Sequence, residues 1–170
     1  MLILLHGSGW YGQQFDALLP VLAHQADVLA PNLRGHGPPA KAGGDADYIG
    51  QLEDDIEDLI DLYARPVQKL ILAGHCSGGG LVIRFLAGVY GEWAASAILF
   101  APLLEYNAPT LRPNAGGWSR ALVRRIIGLS LLNSIGVTAL NHLTVLQFAF
   151  PDFVFKVILR PRSPVPIRTV

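Results

Sequence analysis

The spacing of apolar residues changes period several times along this chain. Residues 2–5 read Leu-Ile-Leu-Leu, an unbroken apolar run closed by His6-Gly7-Ser8-Gly9, which predicts a buried strand and a tight loop. Residues 13–25 place Phe15, Leu18, Leu19 and Leu22 at helical spacing and predict a helix. Residues 27–31, with Val28, Leu29 and Ala30, predict a second strand, and residues 32–39 are loop chemistry rich in glycine and proline. The clearest helix spans residues 48–64. Ile49, Leu52, Ile56, Leu59, Ile60 and Tyr63 form its apolar stripe, Glu53, Asp54, Asp55, Glu57, Asp58 and Asp61 its wet face, and Pro66 closes it. Residues 70–73 predict a third strand, 74–80 a glycine-rich turn, 81–90 a buried helix and 97–101 a fourth strand ended by Pro102.

Strand and helix therefore alternate. The pattern predicts the α/β class, a three-layer sandwich with a mostly parallel sheet covered on both faces. Such sheets bind ligands at the carboxyl ends of their strands, so the loops at 6–10, 32–38, 74–80 and 102–107 are expected to share one rim. The remainder has another character. Residues 106–118 are a connector rich in Pro, Gly and Asn, residues 118–150 are apolar and helix-like, and residues 151–170 hold four prolines and four basic residues without periodicity past Leu159.

Composition narrows the function classes. The 170 residues are 51% hydrophobic, enough for a core, and the formal net charge is zero, which argues against a nucleic-acid partner. The balance is uneven: ten acids against Arg34, Lys41, Arg65 and Lys69 up to residue 70, then nine bases against Glu92, Glu105 and Asp152. With one cysteine no intramolecular disulfide forms. No signal-peptide pattern opens the chain, so a cytoplasmic location is expected. No Cys/His set has metal-ligand spacing, no Walker pattern follows glycines 78–80, and no cofactor is expected.

The chemistry concentrates in Gly74-His75-Cys76-Ser77-Gly78-Gly79-Gly80, which follows an apolar strand and opens a helix. This is the setting of a nucleophile elbow, a sharp strand-to-helix turn whose flanking positions accept almost no side chain. With Cys76 at the apex the flanks are Gly74 and Gly78; with Ser77 there, His75 would occupy a position where little fits. Sterics favour Cys76.

Three motifs carry a family resemblance. Ile3-Leu4-Leu5-His6-Gly7-Ser8-Gly9, the Arg34-Gly35-His36-Gly37 loop and the Gly74–Gly79 turn resemble the α/β-hydrolase superfamily, with cysteine in place of the elbow serine. The nearest subgroup is the lysophospholipase and monoacylglycerol-lipase-like esterases. The resemblance spans roughly residues 2–150. It implies a hydrolase core at 1–105, a helical cap or lid segment at 106–150 and an atypical tail at 151–170. It implies carboxylic-ester hydrolysis through an acyl-enzyme on Cys76. It also implies an oxyanion hole from the backbone N–H groups of Ser8 and Ser77, with Gly9 as the alternative donor. The expected substrate is a small ester with an apolar acyl group. A cysteine-dependent lactone hydrolase, and a non-catalytic fragment or binding protein of the same fold, remain open.

The family's acid and base follow the nucleophile in chain order. Downstream of Cys76 stand only Glu92, Glu105, Asp152 and His142. Glu105, just past the fourth strand, is the acid candidate, and a solvated loop glutamate is its other reading. The family's last strands are not recognisable, and the chain is expected to be truncated at both ends, with a solubility penalty at the open sheet edge. Residues 126–150 carry no charge and have membrane-spanning length, yet Asn133, Asn141, His142 and Gln147 are costly in hydrocarbon. A cap over an apolar site fits better; Arg124 and Arg125 are read either as helping such a cap approach anionic lipid or as ordinary surface charges.

Overall fold

The computed structural model describes residues 1–37, 46–104 and 119–148, the side chains of 119, 120 and 146–148 excepted. Glu105, the 106–118 connector and the 151–170 tail lie outside the described residues. The chain forms two compact units, Met1–Leu111 and Arg112–Val170.

In the first unit, strands β1 (Leu2–Leu5), β2 (Val28–Leu29), β3 (Ile71–His75) and β4 (Ser96–Phe100) form one parallel sheet in the order β2-β1-β3-β4. Alternate side chains leave opposite faces of a strand, so β1 feeds two cores. Ile3 and Leu5 join Leu72 against Ile56 and Ile60 of α2 (Gln51–Tyr63) and Leu81, Val82 and Phe85 of α3 (Ser77–Ala87). Leu2 and Leu4 join Ala73 against Phe15, Leu19 and Leu22. Apolar residues on both sides of the sheet make the three layers, as the strand–helix alternation requires.

The strand order positions the site. From β1 the chain moves outward to β2, then returns across β1 to place β3 on its other side. The connections after β1 and β3 therefore depart in opposite directions. A crevice opens between the carboxyl ends of these strands, the topological switch point where open α/β sheets bind ligands.

Three local expectations change. The single helix expected over 13–25 is a 3-10 turn at Gly12–Phe15 followed by the short α1 (Leu19–Leu22). Pro20 sits in the first turn of α1; without an N–H it starts a helix and does not continue one. The glycine-rich turn at 74–80 contracts to a single residue, because β3 runs to His75 and α3 begins at Ser77. In the second unit, the described part of the apolar stretch, residues 119–148, is helical only over α4 (Val123–Ser134), with β5 (Ser119–Ala121) and β6 (Leu146–Phe148) paired antiparallel around it. Gly136, at φ 82°, turns the chain back, and the Val137 N–H closes on the Leu132 carbonyl. Among the described residues no helix is long and apolar enough to cross a membrane.

The cores predict unequal sensitivity. Phe85 is fully buried while Ile49 is 96% exposed. Phe85→Ala should cost about 3–5 kcal/mol in denaturant unfolding, and Ile49→Ala no more than about 0.5 kcal/mol.

Candidate active site

At the end of β3 the backbone turns into α3 through one residue. Cys76 has φ 54° and ψ −119°, a conformation that costs a non-glycine residue about 1–3 kcal/mol. Four backbone hydrogen bonds hold it there. The Cys76 N–H donates to the Phe100 carbonyl at 3.0 Å, and the Cys76 carbonyl accepts from Gly79, Gly80 and Leu103 at 3.0, 3.2 and 2.8 Å. The corner is cramped on both flanks. A Cβ on Gly74 would stand 2.3 Å from the Gly78 carbonyl oxygen, and one on Gly78 would stand 2.3 Å from the Leu5 carbonyl oxygen. Cys76 itself is half-buried, its thiol free. Its sulfur has no hydrogen-bond partner among the described residues.

Two side-chain bridges tie the neighbouring loops to this corner. The Leu33 N–H donates to His6 Nε2 at 3.0 Å. That nitrogen must be the acceptor, so His6 is neutral and its Nδ1–H donates to the Gly7 carbonyl at 3.0 Å. Burial, at 1% exposure, pulls the His6 pKa below the usual histidine value; the bond to Gly7 opposes this, and His36, 5.0 Å away ring to ring, adds to the lowering. His6 thus fastens the loop after β2 to the end of β1. The second bridge is Gln14. Its Oε1 accepts the Gly7 N–H at 3.1 Å, which leaves Nε2 to donate to His75 Nδ1 at 2.7 Å. His75 is therefore neutral as well, and burial lowers its pKa. Outside these bridges, Arg34 makes a two-pronged ion pair with Asp55 that anchors the 32–37 loop to α2.

Ser8 and Ser77, far apart in sequence, meet here: Ser8 Oγ donates to Ser77 Oγ at 2.8 Å. The Gly7 N–H is spent on Gln14, whereas the N–H groups of Ser8 and Ser77 have no acceptor among the described residues. Both serines line a cleft of about 550 Å³ with His6, Gly7, Leu33, His36, Leu52, Gly80, Leu81, Ile83, Arg84, Leu103 and Leu104. The lining is mostly apolar, with Arg84 the one permanent charge on it among the described residues. Among the described residues, no group of three or more His, Cys, Asp or Glu side chains is placed to hold a metal ion.

The sequence-predicted residues Gly74, His75, Cys76, Ser77, Gly78 and Ser8 thus gather at the switch point, while Glu105 lies outside the described residues. Gln14 and Arg84 give no signal in the sequence. One sits in a turn read as helix, the other on a helix read as wholly buried.

Comparison with known proteins places this geometry in context. The profile of the alpha/beta hydrolase family matches residues 2–166. A pyrethroid hydrolase from Sphingobium faniae JZ-2 is 30% identical, with a TM-score of 0.50 over 59% of this chain and 39% of that one. A monoacylglycerol lipase from Paleococcus ferrophilus is 22% identical, with a TM-score of 0.56 over 79% of this chain and 47% of that one. The acetyltransferase component of the acetoin cleaving system of Pseudomonas putida is 34% identical over 102 residues, 59% of this chain and 26% of that protein. The chain spans about a quarter of the length of the curated relatives it matches.

Two measurements check the geometry. Gly74→Ala drives a methyl group into backbone and should cost about 3 kcal/mol or more in denaturant unfolding. Stability should also depend on His6 and His75. Both are held below the usual histidine value of 6.5 in the folded state, so the unfolded chain takes up protons first. Their contribution is complete above pH 6.5 and is lost as pH falls through the folded values. Melting temperatures taken downward from pH 8 should drop below that point, and the drop should shrink in His6→Gln.

Proposed function

The chain belongs to the alpha/beta hydrolase family, and from that premise we propose that it hydrolyses carboxylic esters through a thioester acyl-enzyme on Cys76. The observation that carries this reading is the strained corner at residue 76, which sets a half-buried thiol at the carboxyl end of β3 beside two backbone N–H groups that have no acceptor among the described residues.

The chemistry follows from the parts. The Cys76 thiolate adds to the ester carbonyl, forming an S–C bond and placing negative charge on the carbonyl oxygen. The N–H groups of Ser8 and Ser77 donate to that oxyanion; such donors act strongly in a water-poor cleft because they are already oriented. Collapse of the intermediate breaks the ester C–O bond, and the departing alkoxide takes a proton. Water then attacks the thioester, releases the acid and returns the thiol. The residues that assist the proton transfers are not among those hydrogen-bonded to Cys76. Glu105 remains the acid candidate of the sequence.

The leucine-rich lining of the cleft supports an apolar acyl group, and the similarity to a pyrethroid hydrolase agrees with hydrolytic chemistry. In the second unit, the exposed start of α4, with Arg124, Arg125, Ile126 and Ile127, supports peripheral contact with an anionic lipid surface. The absence of any described partner for the Cys76 sulfur favours a second reading, a binding protein of the same fold that holds esters or lactones without cleaving them.

Hydrolysis of para-nitrophenyl esters by the intact gene product separates the two. Cys76→Ala should lower kcat/KM by about three powers of ten or more, as loss of a nucleophile does elsewhere, and Cys76→Ser should lower it less. Full activity in Cys76→Ala would remove Cys76 as nucleophile, and no cleavage by the wild type would favour the binding protein.

A further inference from the structure

We infer that Arg84 sets specificity by receiving an anionic group at the far end of the acyl chain, so that the substrate class is a half-ester of a linear dicarboxylic acid; this rests on the hydrolase reading above. Ser77, Gly80, Leu81 and Arg84 all line the same cleft. They are positions i, i+3, i+4 and i+7 of α3, one face of the helix. At 1.5 Å of rise per residue, Arg84 stands roughly 10 Å along the axis from Ser77. The cleft therefore holds the proposed oxyanion donors Ser8 and Ser77, next to Cys76 in the chain and the fold, then leucine walls, and Arg84 two turns further along α3.

Arg84 is built to stay there. Its Nη2 lies 2.7 Å from Glu53 Oε1, and the Glu53 side chain is only 12% exposed against 51% for Arg84. The partly buried carboxylate holds one edge of the guanidinium, while its buried Oε2 has no hydrogen-bond partner among the described residues. A guanidinium carries five N–H donors in a planar fork and can hold a carboxylate on each of two edges. Among the described residues nothing but Glu53 pairs with it. A neighbouring depression that Arg84 also lines carries Asp47 and Glu53.

The probes are para-nitrophenyl hydrogen suberate and para-nitrophenyl octanoate, equal in acyl length and differing in the terminal carboxylate. The full-length protein should have the higher kcat/KM for the suberate ester. Arg84→Gln should lower that value by about tenfold or more, through KM, as expected for loss of a charge-assisted hydrogen-bonded pair. Octanoate cleavage should fall far less than suberate cleavage, a thermal melt of the variant checks that it folds, and Arg84→Lys should recover part of the loss. Equal rates on both esters in the wild type, or an equal fall on both in Arg84→Gln, would overturn the role of Arg84 and leave ester hydrolysis standing. If neither ester is cleaved, the hydrolase reading fails and calorimetric titration with free suberate decides. Binding that Arg84→Gln abolishes upholds the inference, and no binding overturns it.

Discussion

Between His75 and Ser77 the chain passes from sheet to helix without a loop, and the space for that turn exists because residues 74 and 78 carry no Cβ. Gly78 rests on the Leu5 and His6 carbonyls at the end of β1, and Gly74 rests on Gly78 itself. The constraint reaches beyond the turn. It fixes how closely α3 approaches the end of β1, where the loop from His6 to Trp10 begins, and it holds Cys76 at a positive φ. The hydrogen bonds to Phe100 and Leu103 extend the same constraint to β4 and the segment after it. Strain at one residue is thus carried by pairing in the surrounding sheet.

What the corner presents is chemically coherent. The loop after β1 and the start of α3 come together from opposite sides of the switch point, and each brings an N–H that has no acceptor among the described residues. Two buried or half-buried histidines, both neutral by the hydrogen bonds they make, hold the framework and leave the sulfur alone. Gln14 accepts from one loop and donates to the other, so loss of its amide would loosen both walls together. The described lining of the cleft is mostly apolar and includes Arg84, the feature on which the proposed choice among acyl groups rests.

Much of this was legible in the residues and some was not. The two-sided sheet follows from β1 and β3 being apolar at consecutive positions, and the rim from the alternation of strand and helix. Cys76 belongs at the apex because that register alone leaves glycine on both flanks. Local patterns failed where a single residue overrides periodicity. Pro20 divides an apparent helix, and Gly136 ends another that apolar composition would extend to residue 150. Gln14 and Arg84 were not legible because their significance depends on partners distant in sequence, His75 and Glu53, which local spacing does not reveal.

The central claim is that an acyl group is carried by the sulfur of Cys76. Intact-mass analysis after brief exposure to an activated ester, followed by peptide mapping and neutral hydroxylamine treatment, tests it directly. The account predicts one acyl increment on the peptide containing Cys76, discharged by hydroxylamine and absent from Cys76→Ala. An adduct on Ser77 or Ser8, or an ester turned over with Cys76 never modified, would contradict it.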